Sequence, residues 1–489
     1  MKRYVFVVVL SLAAASMQTA WAATATMAPP ATPTAPAPRT ALVLLDGANL
    51  RAAAKDSAPV QASLVRGDAV EIRAERLDYW QVWDYRRERG GFLKKSQTLL
   101  LSSDAPTLLA QLRLTLPQDG GEGLALALAA AYIQTASGKE LSGEQGAEVL
   151  DALGQVGQRI AANTTTRRAG LLDLAARYGL RFDSYAQADG SVRQCYDGDA
   201  FRRVMSLPAT PSQRTRAALA LTRADCRPST LTAAQVQSLD DWRAQVLSHA
   251  ALDGLATFEK NRLLMRRASV AASRAFSRGD AEAARTALAD FAQIEPAEIA
   301  EDDMPDYNDT AMRVNAVRWT ALPSVDERAL GNFKLTLKDS ATPGEHCLTL
   351  TDARGTEQLR RCSFGRISLA SAVLSREGKA IALSAQPLDG WRELWVLRAS
   401  AKGWQVQVLP PAAAEPGLGY AEFAGFVPGN KQVLVVQESR AEGRYASRRF
   451  MVMDLDTLTQ QHMAPDATQL GAFQRWADPV WKGASLALR

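Results

Sequence analysis

The segment from Ala41 to Leu101 constrains the fold of this chain most strongly, because short apolar runs alternate there with turn residues. Its turn signals are Asp46-Gly47, Arg66-Gly67-Asp68 and Gly90-Gly91. Short strands separated by such turns predict a small, closed all-β unit.

The strands of this segment resemble a known family. The runs that carry the resemblance are Ala48-Asn49-Leu50-Arg51, Pro59-Val60, Leu64 to Ile72, Tyr79 to Trp83 and Gly90 to Leu93. Together they resemble the five-stranded barrel of bacterial SH3-type domains, over residues 41–101 only. The resemblance implies a binding module, because barrels of this family in exported bacterial proteins often bind cell-wall peptides and some dock protein partners.

The strand from Tyr79 to Tyr85 supplies the candidate site, because side chains alternate between the two faces of a strand. Trp80 and Val82 then point into the barrel, and an outward aromatic row remains. The predicted ligand-binding residues are Tyr79, Trp83, Tyr85, Phe92, Arg86 and Arg87, with Arg89 as a further hydrogen-bond donor. The alternative is that Trp83 and Phe92 pack against the following helical segment.

The N-terminus predicts export. Residues 1–22 combine the charged start Lys2-Arg3, an apolar run and the small-residue cleavage pattern Ala20-Trp21-Ala22, as in a cleaved signal peptide. Residues 23–40 are rich in alanine, threonine and proline and predict an extended linker. We therefore expect a periplasmic protein, or a secreted one, with no transmembrane segment in the mature chain.

Charge and motifs exclude several classes of function. Removing Lys2 and Arg3 lowers the formal net charge from +5 to +3, and the arginines are scattered, so no nucleic-acid partner is predicted. The three histidines, His249, His346 and His462, form no zinc-binding helix pattern. No nucleophile elbow or phosphate-binding loop occurs, and we predict no cofactor, no metal and no catalytic residue.

Four cysteines in an exported chain predict disulfides. A hairpin that turns at Arg354-Gly355 places Cys347 and Cys362 directly opposite each other, within bonding reach. Cys195 and Cys226 are then paired by elimination. The alternative is four buried free thiols.

The remainder of the chain predicts two further domains. Residues 105–300 show helical patterns, including a capping box from Ser142 to Gln145, and Glu295 to Asp309 predicts an acidic boundary loop. Residues 314–489 switch to strand periodicity. The predicted fold class is therefore multidomain α+β: an SH3-like barrel, an α-helical domain, and an all-β propeller-like or sandwich domain.

Two stretches of the C-terminal region look alike. Residues 375–397 and 428–455 each contain a tight turn between strands, Gly378-Lys379 and Asn430-Lys431. They resemble blades of a β-propeller of the TolB or WD-like kind, and an open propeller or a meandering sandwich is the alternative. Residues 478–489 predict the start of another blade, which strands of the Cys347–Cys362 hairpin would complete.

These observations predict an exported cell-envelope binding or scaffold protein whose barrel recognises peptidoglycan or an envelope protein. A cell-envelope hydrolase is one alternative, and a deep cleft with paired carboxylates of raised pKa would favour it. A periplasmic assembly adaptor that acts through the β-rich domain is the other.

Overall fold

The computed structural model describes residues 39–163, 168–187, 190–413 and 416–484. The predicted signal peptide and all of the predicted linker except its last two residues lie outside these ranges. The described chain is mixed α+β, with an N-terminal β region, central helices and C-terminal sheets, as predicted.

The N-terminal β unit is one seven-stranded sheet with the order β3-β2-β6-β5-β4-β1-β7. The strands are β1 Arg39–Val43, β2 Ala48–Arg51, β3 Val60–Leu64, β4 Ala69–Arg76, β5 Tyr79–Asp84, β6 Arg89–Lys94 and β7 Thr98–Leu100. Its core consists of Ala41, Val43, Ala48, Leu50, Leu64, Val70, Trp80, Val82 and Leu93. Trp80 and Val82 are therefore buried, as the strand alternation predicts.

Eleven helices and one hairpin form the described middle of the chain. The helices are α1 Ala105–Thr115, α2 Glu122–Thr135, α3 Gly138–Ser142, α4 Glu144–Ala162, α5 Arg168–Arg177, α6 Asp199–Met205, α7 Pro211–Leu221, α8 Ala233–Ser248, α9 Thr257–Arg278, α10 Ala281–Ala292 and α11 Met304–Val317. The hairpin strands are β8 Phe182–Ala186 and β9 Val192–Tyr196, which the helical prediction for this region missed. Helix α2 lies at the centre of one core, because its run of leucine and alanine is apolar on nearly every side.

Local capping sets several helix starts. The Thr232 side chain accepts from the Gln235 amide and begins α8, as predicted. The box predicted from Ser142 to Gln145 is wrong. Ser137 and Glu140 form the capping box instead, at the start of α3, and Gly143 precedes α4.

The predicted boundary loop Glu295–Asp309 is partly wrong. It contains two short 3₁₀ turns, and α11 begins inside it at Met304. Pro305 lies in the first turn of α11, where its missing N–H costs no intrahelical hydrogen bond. Pro305 therefore lies at a helix start and not in a loop.

The C-terminal β region consists of three successive four-stranded antiparallel meanders. The first is β10 Glu327–Leu330, β11 Phe333–Asp339, β12 His346–Asp352 and β13 Glu357–Ser363; the second is β14 Arg366–Leu374, β15 Ala380–Leu388, β16 Trp391–Ser400 and β17 Gly403–Leu409; the third is β18 Leu418–Val427, β19 Gln432–Ala441, β20 Arg444–Asp454 and β21 Gln460–Ala464. A short parallel pairing of β16 with β18 joins the second and third meanders into one sheet.

The two look-alike stretches occupy equivalent places in the second and third meanders. The Gly378 turn joins β14 to β15, and the Asn430 turn joins β18 to β19. The turns touch, because the Gly429 amide donates to the Glu377 carboxylate at 2.7 Å.

The prediction for the end of the chain is wrong. Residues Pro479–Ala484 form a short helix, α13, after α12 Gly471–Trp476, and residues 485–489 lie outside the described range. The predicted further blade is therefore not built from a strand at 479–484. The Cys347–Cys362 hairpin is instead part of the first meander, so it does not complete a blade there.

Both predicted disulfides are present. Cys347 and Cys362 are directly opposed in the β12–β13 register and are bonded. Cys195 in β9 is bonded to Cys226, which fixes the hairpin to the segment after α7. The described residues contain no free cysteine.

Candidate functional site

Strands β5 and β6 each place one predicted site residue, Trp83 and Phe92, on the outer face of the N-terminal sheet. Trp83 is opposite Gly90, and Gln81 is opposite Phe92, so Trp83 and Phe92 are diagonal neighbours. Both aromatic side chains are half-buried. A Cβ on Gly90 would lie 3.3 Å from Trp83 Cε3, so the glycine gives the indole ring room to lie against the sheet.

Tyr85 extends the aromatic surface and is 64% exposed. Its hydroxyl donates to the Glu71 carboxylate and accepts from Arg73 at 3.2 Å. The hydrogen bond to Glu71 raises the pKa of Tyr85. These contacts hold the Tyr85 hydroxyl, and most of the side chain stays exposed. We call Trp83, Phe92 and Tyr85 the aromatic face.

Tyr79 differs from the expectation that it points outward, because it is only 6% exposed. Its hydroxyl donates to Asp56 at 2.6 Å, and Lys94 donates to the same carboxylate at 2.8 Å. The hydrogen bond to Asp56 raises the pKa of Tyr79. The loop between β2 and β3 therefore covers this ring, which strand alternation alone does not reveal.

The predicted arginine donors are already bonded within the protein. Arg86 binds Asp173 of α5 at 2.7 Å, and Arg87 binds Asp84 at 2.6 Å. Both guanidinium groups also lie beside Asp68, at 3.6 and 3.1 Å. Because Asp68 is 4% exposed, these pairs form a partly buried cluster between the sheet and α5.

Arg89, the third arginine, donates to the Gln61 carbonyl at 2.6 Å. All three arginines are therefore engaged within the protein, Arg86 with α5, Arg87 with Asp84 and Asp68, and Arg89 with strand β3.

The sheet meets the helices at the turn after β3. The Arg66 guanidinium donates to the Gly120 carbonyl at 3.1 Å, and the Tyr178 hydroxyl donates to the Gly67 carbonyl at 3.3 Å. Neither Trp83 nor Phe92 is among the residues that pack against the helical core around α2. The aromatic face is thus separate from this docking contact.

Two neighbouring carboxylates in the helical region test the hydrolase alternative, which predicts a carboxylate pair of raised pKa in a cleft. Asp151 and Glu148 line one cavity of about 260 Å³, and burial raises the pKa of Asp151 to about 6. Asp151 is bonded to Arg216, and Glu148 accepts two hydrogen bonds from Arg113 at 2.6 and 2.7 Å. Each carboxylate is therefore held by its own arginine, a geometry typical of structural ion pairs.

A second cavity, larger than the one beside Asp151, was not predicted from the sequence. It has a volume of about 880 Å³ and lies between α7, α8, α9 and α11 and loops of the first two meanders. The residues that line it come from elements more than a hundred residues apart in the chain, so no local sequence motif indicates its presence.

Comparison of the chain with protein-family models, with curated proteins and with solved structures finds no match. Among the described residues, no helix combines the length and the apolar character that crossing a bilayer requires. Function is therefore inferred from the chemistry of the surfaces described above.

Proposed function

We propose that this chain is an exported cell-envelope binding protein that recognises peptidoglycan through the aromatic face of an SH3-type barrel. The observation that carries the proposal is the pair Trp83 and Phe92, which are half-buried diagonal neighbours on the outer face of the N-terminal sheet. Rigid aromatic rings offer large contact area at little entropic cost and stack on sugar or peptide groups.

The rest of the N-terminal unit supports this role by orienting the face. Gly90 lets the Trp83 ring lie against the sheet, and Glu71 and Arg73 hold Tyr85. The arginine cluster around Asp68 fastens the unit to α5. Binding is then surface recognition by a rigid module, with no covalent step.

A periplasmic location is part of the proposal. Two disulfides are consistent with an oxidising compartment, where such bonds form and persist. The predicted signal peptide at 1–22 would deliver the chain there.

The three C-terminal meanders support an open, propeller-like arrangement as the finer description of that region. Each is an antiparallel four-stranded unit of the kind that forms a propeller blade, and the Gly378 and Asn430 turns repeat between two of them. In this arrangement the C-terminal region is a rigid scaffold attached to the binding module through the helices.

Co-sedimentation with purified peptidoglycan sacculi tests the proposal. The mature protein is expected to pellet with sacculi, and Trp83→Ala or Phe92→Ala should weaken the interaction about tenfold or more, as for an aromatic hot spot. Trp476→Ala is the matched control, because Trp476 is 43% exposed and lies on α12, outside the N-terminal unit.

Far-UV circular dichroism of each variant establishes that it is folded. Failure of the wild type to pellet would refute peptidoglycan recognition. Equal pelleting of the wild type and Trp83→Ala would instead remove the aromatic face from the binding site.

A further inference from the structure

The 880 Å³ cavity between the helices and the first two meanders is a second candidate site, distinct from the aromatic face. Its volume lies within the range of about 300–1,000 Å³ that is typical of small-ligand pockets. Helix α9 contributes much of one wall, and the start of β14 contributes part of the opposite wall. The cavity is therefore formed only when the helical and β regions are packed together.

Six arginines line this cavity: Arg227, Arg243, Arg262, Arg266, Arg313 and Arg366. Three of them are neutralised by lining carboxylates. Arg243 pairs with Asp240 at 3.2 Å, Arg262 with Asp303 at 2.7 Å and Arg313 with Asp389 at 3.1 Å. Within the described chain, Arg227, Arg266 and Arg366 have no carboxylate within 4.0 Å.

The unpaired guanidinium groups are poorly compensated. Arg266 donates one hydrogen bond, to the Thr222 carbonyl at 2.7 Å, and Arg366 donates one, to the Phe276 carbonyl at 2.7 Å. Burial lowers the pKa of both groups, so both have lost part of their hydration. Arg227 makes no side-chain hydrogen bond to the described residues, and its charge adds to that of nearby Arg243. A desolvated guanidinium gains most from a bidentate anionic partner.

The lining carboxylates do not balance these charges. Besides the three already paired with arginines, Asp309 binds Tyr445 at 2.8 Å and Arg440 at 2.8 Å. Among the described lining carboxylates, only Asp306 makes no side-chain hydrogen bond or ion pair, and it is exposed. Arg227, Arg266 and Arg366 therefore have no ion-pair partner within 4.0 Å in the described chain, and the Asp306 charge acts on Arg266 from a longer distance.

Apolar side chains complete the wall. They include Leu231, Val236, Met265, Val270 and Phe276. A bare inorganic anion would leave this surface without a partner, whereas an organic anion would cover it. The lone Asp306 carboxylate suits an amino group on the same molecule.

We propose that this cavity binds a short peptide with carboxylate side chains, whose carboxylates pair with Arg227, Arg266 and Arg366. Peptide groups provide the apolar contacts with α9, and the amino group lies towards Asp306. This site is independent of the aromatic face, because the two have no residue in common.

Isothermal titration calorimetry with the full mature protein tests the proposal. The probes are the tripeptide Glu-Leu-Glu with free termini, the amidated peptide Gln-Leu-Gln and inorganic phosphate. The acidic peptide is expected to bind with a Kd of about 1 mM or less. The uncharged peptide and phosphate should bind at least about tenfold more weakly, because the loss of one charged hydrogen bond lowers affinity by roughly that factor.

Variants locate the site. Arg266→Gln and Arg366→Gln should each weaken binding of the acidic peptide about tenfold. The Arg227→Gln variant guards against misfolding as an explanation. Arg227 lines the cavity but makes no side-chain hydrogen bond to the described residues, so its replacement removes no internal hydrogen bond. Arg203→Gln is the matched control, since Arg203 is exposed on α6 outside the cavity.

The proposal would be overturned if the acidic peptide did not bind at concentrations up to about 10 mM. Equal binding of the uncharged peptide, or wild-type affinity in the Arg227→Gln and Arg266→Gln variants, would also overturn it. Phosphate that binds as tightly as the acidic peptide would overturn the assignment to a peptide.

Discussion

The contact between the N-terminal sheet and the helices makes a sharp prediction at Gly123. This residue lies in the first turn of α2, directly against the turn that contains Gly67. A Cβ on Gly123 would lie 2.2 Å from the Arg66 carbonyl oxygen and 2.9 Å from Leu174 Cδ2. Real Cβ contacts do not occur at such distances, so Gly123→Ala forces the sheet and the helix apart.

Helix propensity alone would predict that Gly123→Ala stabilises the protein, whereas the close contact predicts that it destabilises the protein. In an unhindered helix, glycine to alanine stabilises by up to about 1 kcal/mol. Overpacking a closely packed contact costs about 1–3 kcal/mol, and here the nearest atom belongs to the backbone and cannot rotate away. We therefore expect Gly123→Ala to lower the free energy of unfolding by about 2 kcal/mol.

Thermal unfolding followed by circular dichroism measures this effect, with Gly170→Ala as the matched control. Gly170 lies in α5, is exposed, and a Cβ there would meet nothing within 4 Å. For a unit of 150–250 residues, 2 kcal/mol corresponds to a fall in Tm of roughly 4–8 °C. Gly170→Ala should leave Tm unchanged or raise it. A Gly123→Ala variant as stable as Gly170→Ala would show that the sheet does not dock on α2 at this contact.

Three other perturbations have defined outcomes. Burial raises the pKa of Asp151 to about 6, above the value of 3.8 in the unfolded chain. The free energy of unfolding therefore falls as pH rises from 3.8 to about 6 and stays lower above that pH. Asp151→Asn should therefore raise Tm relative to the wild type at pH 7.5, with a difference that shrinks towards pH 4 in thermal scans. Replacing both cysteines of the Cys195–Cys226 bond by serine opens a 31-residue loop and should cost about 3–4 kcal/mol in thermal unfolding. Glu422→Gln leaves the buried guanidinium of Arg392 without its carboxylate and should cost about 3 kcal/mol or more, measured by denaturant unfolding.

Features that depend on neighbouring residues could be predicted from the sequence. The alternation in β5 correctly places Trp80 and Val82 in the core, and Thr232 caps α8. The opposition of Cys347 and Cys362 follows from the position of one turn, because hairpin register is set locally. Each of these inferences uses interactions within a few residues or across one turn.

Features that depend on distant residues could not be predicted. Tyr79 is buried because the loop between β2 and β3 brings Asp56 to it. Arg86 is engaged because α5 brings Asp173 to it from 87 residues away. The large cavity is similarly hidden, since Arg227 and Arg366 line it together only through the packing of two regions.

Helix α11 determines which parts of the molecule can be tested separately. Arg313 of α11 pairs with Asp389 at 3.1 Å, and the segment after α11 reaches the buried Glu422 through the Trp319 indole at 3.2 Å. Removing residues 320–489 would therefore strip partners from α11 and open the large cavity, besides deleting the β region. Loss of a partner on such a deletion would not distinguish an adaptor surface from a damaged helical region. Point substitutions at exposed strand positions that do not line the large cavity, such as Val408 in β17 or Met463 in β21, leave α11 in place and separate the two explanations.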